Sequence, residues 1–344
     1  MDDSKPICID APKSVADKVG ERVDINLGHA CNYKCIFCMQ GNSTKEQRKW
    51  VDKKTLFLEM EHYSRELGVK SLGLLGGEPT LYPWLSEALD YARQLGFDDI
   101  TINTNGFMFA DAEFTKNAVE HGLNRFCISI HSESPKVEDF LSGQAGALKR
   151  KLTAIRNIVT MRKAGHKITL SINAVLNNRN YPTMDRYVAF YKQLGITDIR
   201  FNFIRPEGRS LDHLDIVPSF SETMPKIMET VLANENRHKI FLSFGEIPYC
   251  VYPSEFFSNK TLRKKYIGEY RDRRTHVSTF GNQPGNLSDD NGKQRFVWQD
   301  LRMNELKTYV DECRSCPWVE VCGGVWTHYL EIYGDSEFKS LEVE

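Results

Sequence analysis

Three cysteines stand close together in the chain, at Cys31, Cys35 and Cys38, with the spacing C-x3-C-x2-C. Clustered thiolates are the usual protein ligands of iron–sulfur clusters and of zinc. Three thiolates are one fewer than a closed four-cysteine site supplies, so a four-iron cluster bound here would keep one iron open to an external ligand. The spacing leaves two alternatives open: a zinc site completed by a distant residue such as His29, or a coincidence of free thiols.

The residues from Cys31 to Cys38, CNYKCIFC, resemble the signature of the radical S-adenosylmethionine (SAM) enzymes, in which an aromatic residue precedes the last cysteine. The resemblance implies that the three cysteines bind a 4Fe-4S cluster and that the amino and carboxylate groups of SAM occupy its open iron. It also implies an electron donor such as flavodoxin or ferredoxin. The electron cleaves SAM to a 5′-deoxyadenosyl radical, which abstracts a hydrogen atom from the substrate.

A second motif, Gly76-Gly77-Glu78-Pro79, follows the apolar run Ser71–Leu75. Two glycines let a backbone approach a ligand closely, and a carboxylate or a carbonyl can accept a hydrogen bond from an ammonium group. In the radical SAM family, a Gly-Gly-Glu-Pro at the end of the second barrel strand binds the amino group of SAM. The alternative is an ordinary turn between a strand and a helix.

Apolar runs alternate with segments whose apolar residues recur at helical spacing, which predicts an α/β fold with parallel strands and right-handed crossovers. The resemblance implies a partial (β/α)6 barrel followed by a small auxiliary-cluster domain. The candidate strands are Val23–Leu27, Ser71–Leu75, Asp99–Thr104, Arg125–His131, Ile168–Val175 and Asp198–Phe203.

Several candidate strands alternate polar and apolar residues, whereas buried parallel strands are usually apolar throughout. The fourth strand places Cys127, Ser129 and His131 on one face. The fifth strand likewise has one polar face, formed by Thr169, Ser171 and Asn173. Because helices should cover the apolar faces, we expect the polar faces to line a wide, partly open barrel; the alternative is a set of hydrogen-bonded structural residues.

Ligands of parallel barrels bind at the carboxyl ends of the strands, where the cysteines, Gly76–Pro79 and Asn105 all fall. The resemblance implies that polar residues on the fourth and fifth strands, matched here by Ser129 and Asn173, contact the SAM carboxylate or ribose. Cys127 is a candidate donor that returns a hydrogen atom to a substrate radical, although small buried core thiols are common.

A second group of cysteines lies near the C-terminus, at Cys313, Cys316 and Cys322, and Cys250 is a candidate fourth ligand. Four thiolates would make a closed site. The pattern resembles the twitch and SPASM auxiliary domains of radical SAM enzymes, which implies one auxiliary 4Fe-4S cluster. A structural zinc site with four cysteines is the alternative, because spacing cannot separate zinc from iron.

We expect four regions: an N-terminal extension at 1–20, the barrel at 21–210, a connecting segment at 211–249 and the auxiliary domain at 250–344.

The family includes peptide maturases as well as enzymes that oxidise or epimerise small molecules. An extension of this size is short for a leader-binding domain, which disfavours a peptide substrate unless a separate protein binds the leader. We expect oxidative modification or crosslinking of a ribosomal peptide or protein. The alternative is dehydrogenation or epimerisation of a small molecule such as a sugar, aminocyclitol or nucleoside. A non-catalytic iron–sulfur or zinc protein is the alternative of another class.

Composition agrees with a cytoplasmic enzyme. The 344 residues carry a net charge of −1, so no overall field favours nucleic acid or an anionic membrane. The N-terminus lacks the order of a signal peptide, and no apolar stretch is long enough to span a membrane. Nine cysteines, an odd number, favour metal binding over disulfides, and Cys8 is interpreted as a free thiol. The basic runs at 149–151 and 271–274 are interpreted as solvated surface.

Overall fold

The computed structural model describes residues 20–41, 48–271, 273–280 and 293–341. Cys8 and most of the predicted N-terminal extension therefore lie outside the described residues. A sheet of nine strands, in the order β7-β6-β5-β4-β3-β2-β1-β8-β9, organises the chain. Its strands are β1 Glu21–Asn26, β2 Ser71–Leu75, β3 Asp99–Thr104, β4 Arg125–Ser129, β5 Thr169–Leu176, β6 Asp198–Phe203, β7 Phe241–Gly245, β8 Arg274–Phe280 and β9 Lys293–Val297.

Helices connect most of these strands, so that strand–helix alternation holds through the first seven strands. Among the described strands of this sheet, every neighbouring pair from β7 through β1 to β8 is parallel. The last strand, β9, is antiparallel to β8. The α-helices are α1 Lys53–Glu61, α2 Leu85–Gln94, α3 Ala112–Glu120, α4 Pro135–Ser142, α5 Ala147–Lys163, α6 Met184–Gln193, α7 Phe220–Ala233, α8 Ser254–Ser258, α9 Lys260–Tyr266, α10 Trp298–Leu301, α11 Val319–Cys322 and α12 Thr327–Tyr333. The predicted α/β class with a mostly parallel sheet is confirmed.

All six predicted strands are present, but the sheet is larger than six strands. The strand β7 lies in the segment 211–249 that we expected only to connect two domains, and it pairs with β6. The strand β8 lies in the predicted auxiliary domain and pairs with β1. The sheet therefore extends past the boundaries expected at 210 and 250, because these strands complete their hydrogen bonding with barrel strands distant in sequence. Within the described residues, β7 and β9 form its two edges.

The two faces of the strands differ as the alternation predicts. Phe126 and Ile128 of β4 are buried in the core, whereas the neighbouring Cys127 and Ser129 are only partly buried. The parallel register aligns Cys127 with Ser171 and Ser129 with Asn173. Since aligned residues in a parallel sheet share a face, the polar side chains form one continuous surface.

Charged residues occupy this polar face toward the amino ends of the strands. Arg22 bonds Asp24 at 2.5 Å, and Arg273 bonds Asp99 at 2.9 Å. The Arg22 and Asp24 side chains lie over Gly73, where a Cβ would overlap both of them. The predicted site residues Cys31–Cys38 and Gly76–Pro79 follow the opposite, carboxyl ends of β1 and β2.

Local signals account for the boundaries of several helices. Asp52 caps α1 by accepting a hydrogen bond from the Thr55 amide at 3.0 Å. The helix α7 begins with a capping box formed by Ser219 and Glu222. Near the chain end, Tyr329 of α12 accepts a hydrogen bond from the Phe220 amide at 2.8 Å, which docks the C-terminal region onto α7. Within the described ranges, no helix has the length and apolarity needed to cross a membrane.

Candidate metal and cofactor site

The loop that carries Cys31, Cys35 and Cys38 follows β1 and is held on one side by the end of α4. The amide of Lys34 donates to the Ser142 carbonyl at 3.1 Å, and the amide of Ile36 donates to the Leu141 carbonyl at 3.0 Å. Gly143 then leaves the helix at φ 61°, and a Cβ there would overlap the Lys34 carbonyl. Glycine is therefore required for the helix end to approach the cysteine loop this closely.

The segment after β6 holds the same loop from the other side. The Arg209 amide donates to the Cys38 carbonyl at 3.0 Å, and the Arg209 guanidinium donates to the Cys35 carbonyl at 3.2 Å. Gly208 has φ 60°, and a Cβ there would overlap the Cys38 carbonyl. Sequence reasoning did not single out Arg209, although the glycine that precedes it at the end of a predicted strand was a usable signal.

The two glycines of the Gly76–Pro79 motif approach the cysteine loop rather than open space. The amide of Gly77 donates to the Gly28 carbonyl at 2.7 Å, and the amide of Glu78 donates to the Ala30 carbonyl at 2.8 Å. A Cβ at Gly76 would overlap the Gly28 carbonyl, and one at Gly77 would overlap the Ala30 carbonyl. The glycines thus place the end of β2 directly against the residues that precede Cys31. This contact was not predictable from the sequence.

Glu78 is almost fully buried, and its carboxylate accepts four hydrogen bonds from the protein. The donors are the Thr80 amide at 3.1 Å, the Thr80 hydroxyl at 2.6 Å, the Thr104 hydroxyl at 2.6 Å and the Asn105 amide at 2.7 Å. Burial raises the pKa of Glu78, and these hydrogen bonds oppose that change. The carboxylate therefore joins the ends of β2 and β3; its predicted contact with an ammonium group stays a prediction.

Asn105 links the end of β3 to the cysteine loop. Its side-chain amide donates to Asn32 Oδ1 at 2.7 Å and lies 3.9 Å from Cys31 Sγ. The Tyr33 amide also points at Cys31 Sγ, at 3.4 Å. Such N–H groups stabilise negative charge on sulfur, so the predicted ligand Cys31 lies among donors suited to a thiolate.

The three thiols interact electrostatically with one another. Burial raises the pKa of Cys31, and it raises the pKa of Cys35 to about 12; Lys151 opposes the latter change, while the other two cysteines add to it. A bound cation would remove this penalty, which is why clustered thiols suit a metal centre.

Within the described ranges, no group of three or more His, Cys, Asp or Glu side chains is arranged to hold a metal ion. A four-iron cluster offers a separate iron to each thiolate, so the three cysteines on one loop fit that group.

The other predicted SAM and substrate residues lie along the polar face of the sheet. Ser129, the last residue of β4, is aligned with Asn173, which lies three residues before the end of β5. Asn173 accepts a hydrogen bond from Asn202 at 2.8 Å. Cys127 lies deeper, two residues before the end of β4. Burial raises the pKa of Cys127, with Arg200 opposing it. Its predicted role as a hydrogen donor stays a prediction.

The four C-terminal cysteines line a single cavity. Cys250, Cys313, Cys316 and Cys322 face it together with the aromatic side chains of Tyr249, Tyr309, Trp318 and Phe338. The Tyr249 amide points at Cys322 Sγ, at 3.4 Å. Burial raises the pKa of Cys250 to about 12, with Cys322 adding to the effect. The fold therefore brings Cys250 to the three cysteines that follow it more than 60 residues later.

A group of charged and aromatic residues joins the segments that follow β6 and β7 to the C-terminal region. The Arg205 guanidinium lies 4.1 Å from the Trp326 ring centroid, and Lys307 Nζ lies 4.9 Å from the same ring. Glu246 follows β7 at φ 68°, an unusual conformation for a residue other than glycine, and its Oε2 is 3.7 Å from Lys307 Nζ. We call Arg205, Glu246, Lys307 and Trp326 the mixed-charge group.

The interpretation of the basic run 149–151 as solvated surface is wrong for Lys151. This side chain is 1% exposed and bonds Glu138, itself fully buried, at 2.5 Å. The helix spacing contained the signal, because Lys151 lies three residues after Leu148 and four before Ile155, on the buried stripe of α5.

A model of the radical SAM superfamily matches residues 25–176 of the chain. Among curated proteins, a "Probable GTP 3′,8-cyclase" of Saccharolobus solfataricus is 30% identical over 189 residues, which cover 55% of this chain and 58% of that protein. A protein of the same name from Metallosphaera sedula is 31% identical over 223 residues, covering 64% of this chain and 67% of that protein. The chain thus spans less than two thirds of the length of the Saccharolobus protein.

Two solved structures share the fold across most of the chain. Streptococcus suis SuiB bound to the precursor peptide SuiA has a TM-score of 0.63 at 19% identity, covering 93% of this chain and 74% of SuiB. Native anSMEcpe with bound AdoMet and the Cp18Cys peptide has a TM-score of 0.60 at 15% identity, covering 93% of this chain and 92% of that one. At these levels of sequence identity, the similarity to the two structures concerns the fold alone.

Proposed function

Because the chain belongs to the radical SAM superfamily, we propose that it is an enzyme that cleaves SAM reductively at a 4Fe-4S cluster bound by Cys31, Cys35 and Cys38. The observation that carries the proposal is the direct bonding of Gly77 and Glu78 to the backbone just before Cys31. The motif expected to bind SAM is thereby fixed against the loop expected to bind the cluster. Two signals that are separated in sequence form one site.

When bound, the cluster and SAM would supply the 5′-deoxyadenosyl radical for hydrogen abstraction. The chain supplies three thiolates, hydrogen-bond donors near Cys31, and a loop held rigidly by α4, β2, β3 and the segment after β6. The polar face of the sheet offers Ser129 and Asn173 to the carboxylate or ribose of SAM. An electron donor such as flavodoxin or ferredoxin would reduce the cluster.

We infer that Glu78 acts on SAM indirectly. Its carboxylate already accepts four hydrogen bonds, three at Oε1 from Thr80 and Thr104 and one at Oε2 from the Asn105 amide, and the side chain is buried. The backbone carbonyls of the Gly76–Pro79 motif are then the better candidates to receive the SAM ammonium. Glu78 keeps that backbone, and Asn105 behind it, in place.

A second 4Fe-4S cluster is proposed for Cys250, Cys313, Cys316 and Cys322. The support is their convergence on one cavity with aromatic walls. Four thiolates leave no position for SAM, so this cluster would serve electron transfer or substrate placement instead. Structural zinc remains the alternative, and metal analysis separates the two.

For the substrate we propose a peptide that undergoes oxidative modification or crosslinking and whose leader is bound by a separate protein. The support is that SuiB and anSMEcpe, both solved with peptides, match 93% of this chain and so include most of its C-terminal region. Among the described residues, Arg205 Nε, Glu246 Oε2 and Trp326 Nε1 are buried without a hydrogen-bond partner.

A nucleoside or nucleotide is the second candidate substrate, since the curated relatives are named as GTP cyclases. The donors and acceptors of a purine would also suit the mixed-charge group. The sequence match to the Saccharolobus protein covers 55% of this chain, whereas the fold match to SuiB covers 93%. We rank the peptide first because of this larger coverage.

The experiment that tests the proposal is anaerobic reconstitution of the full chain with iron and sulfide, followed by mass spectrometry of SAM products under dithionite. Formation of 5′-deoxyadenosine supports radical SAM activity, and its absence from protein with a full cluster contradicts it. The substrate is then tested in two arms, with peptides encoded beside the gene and with GTP. A peptide that loses two hydrogen atoms supports the first candidate, whereas a modified nucleotide supports the second.

A further inference from the structure

We propose that the buried ion pair of Lys151 and Glu138 sets the reduction potential of the cluster on Cys31, Cys35 and Cys38. Lys151 favours the reduced cluster, and Glu138 opposes it. The inference rests on the proposed function, because it takes these cysteines as cluster ligands. It assigns a role to two charged residues that the binding of SAM and of the cluster does not use.

The burial of the pair calls for an explanation beyond stability. Lys151 is 1% exposed, Glu138 is 0% exposed, and their charged atoms are 2.5 Å apart. The cost of removing two charges from water largely offsets their attraction, so a buried pair usually adds little to the stability of a fold. Two apolar residues at these positions would pack α4 against α5 equally well.

Glu138 is fixed in position relative to the cysteine loop. Its second oxygen accepts hydrogen bonds from the His131 amide at 2.6 Å and the Ser132 amide at 2.8 Å. The same helix, α4, ends in the Leu141 and Ser142 carbonyls that hold the cysteine loop. The anion therefore cannot move away from the loop without breaking these contacts.

Lys151 lies beside an aromatic side chain of the cysteine loop. Its Nζ is 5.4 Å from the ring centroid of Tyr33, which stands between Cys31 and Cys35 in the chain. Among the described residues, the Tyr33 hydroxyl is buried without a hydrogen-bond partner, so packing and this cation hold the ring. The two charges act on Cys35 in opposite directions: Lys151 lowers the pKa of its thiol and Glu138 raises it.

Charges placed in this way act on cluster reduction in a defined direction. Reduction adds one negative charge to the cluster, which a nearby cation favours and a nearby anion disfavours. Since both groups are buried, salt and water screen them weakly. Removing either charge alone should therefore shift the reduction potential, in opposite directions for Lys151 and Glu138.

The test is a redox titration monitored by electron paramagnetic resonance on the anaerobically reconstituted full chain. The signal of the first cluster is identified as the one missing from the Cys31/Cys35/Cys38→Ala variant. We expect Lys151→Met to lower the potential, Glu138→Gln to raise it, and the double variant to lie between the two single variants. Lys151→Arg should stay near the wild type. The control is Lys149→Met, an exposed lysine on the same helix, which should leave the potential unchanged.

The possible failures are distinguishable. If the wild-type chain lacks the first signal, or shows it without cleaving SAM, the proposed function is wrong. If the wild type has the signal and cleaves SAM, but Glu138→Gln and the double variant share its potential, this inference alone is overturned. Lys151→Met leaves Glu138 buried without its cation, so if that variant fails to fold, Glu138→Gln and the double variant decide.

Discussion

The side-chain amide of Asn105 donates to Asn32 Oδ1 at 2.7 Å, which joins the end of β3 to the loop that carries the three cysteines. Glu78 accepts the backbone amide of the same Asn105 at 2.7 Å, so the ends of β2 and β3 hold the loop together. The proposed cofactor site is therefore built from neighbouring strand ends, and damage to any of these contacts should affect cluster and SAM together.

Replacing Cys35 with Ala should abolish the formation of 5′-deoxyadenosine from SAM under dithionite, because two thiolates cannot hold the proposed cluster in place of three. The measurement is product analysis by mass spectrometry with iron quantified in parallel. Cys8→Ala is the control for loss of a thiol outside the proposed ligand sets and should behave as the wild type. Normal SAM cleavage by Cys35→Ala would contradict the assignment of Cys31, Cys35 and Cys38 as the cluster ligands.

Replacing Gly77 with Ala should reduce cluster loading severalfold, because the new methyl group would overlap the Ala30 carbonyl and push the cysteine loop away from β2. The measurement is iron and sulfide content after reconstitution. Gly165→Ala is the matched control: Gly165 has φ 101° but open space around it, so Ala there should cost about 1–2 kcal/mol of stability through backbone strain alone. Equal cluster loading in the two variants would contradict the role of Gly77.

Replacing Glu78 with Gln should weaken SAM binding by about 1–3 kcal/mol, since an amide group cannot accept all four of the hydrogen bonds that the carboxylate receives. Calorimetric titration of SAM into the reconstituted chain measures the change. Thr80→Val is the control, because it removes only the Thr80 hydroxyl and keeps the other three donors to Glu78, which are the backbone amides of residue 80 and Asn105 and the Thr104 hydroxyl. Unchanged SAM affinity in Glu78→Gln would leave Glu78 with a role in the turn only.

Replacing Cys31, Cys35 and Cys38 together with Ala should leave about four irons and four sulfides per chain, the content of one cluster on the four C-terminal cysteines. Adding Cys250→Ala to that variant should remove most of this iron, since Cys250 lines the same cavity. Elemental analysis after anaerobic purification measures both. Zinc in place of iron would identify a structural site, and full iron retention without Cys250 would exclude that residue as a ligand.

Acidification should destabilise the protein between about pH 6.5 and pH 4 through His131. Burial lowers the pKa of His131 to about 4, with Lys151 acting in the same direction and Glu138 opposing it, and its Nδ1 accepts a hydrogen bond from the Val175 amide at 3.1 Å. The unfolded chain binds this proton near pH 6.5 and the folded chain does not, so stability falls as the pH falls through this range.

The size of the His131 effect is at most about 3 kcal/mol by the usual conversion of a pKa shift. Urea unfolding at several pH values measures it, and His131→Gln should lower the slope of stability against pH in this range. The exposed His166→Gln is the control and should keep the wild-type slope. If the two variants have the same slope, the buried His131 does not govern the acid response.

The sequence by itself determined the features that depend on short-range order. The spacing of Cys31, Cys35 and Cys38, the Gly76–Pro79 motif and the alternation along each strand all lie within a few residues. They were enough to predict the family, the α/β class and the polar face of the sheet. The partner strand of β1 across the sheet, β8, was not predictable, because that pairing joins residues about 250 positions apart in the chain.

Only the tertiary structure decided what each predicted residue touches. It placed the two glycines of the motif against the Gly28 and Ala30 carbonyls, brought Cys250 to the cavity of the other cysteines, and buried Lys151 on Glu138. The physical reason is that packing selects among side-chain environments that look alike in sequence. A lysine on a helix is solvated or buried according to which neighbouring element covers its face.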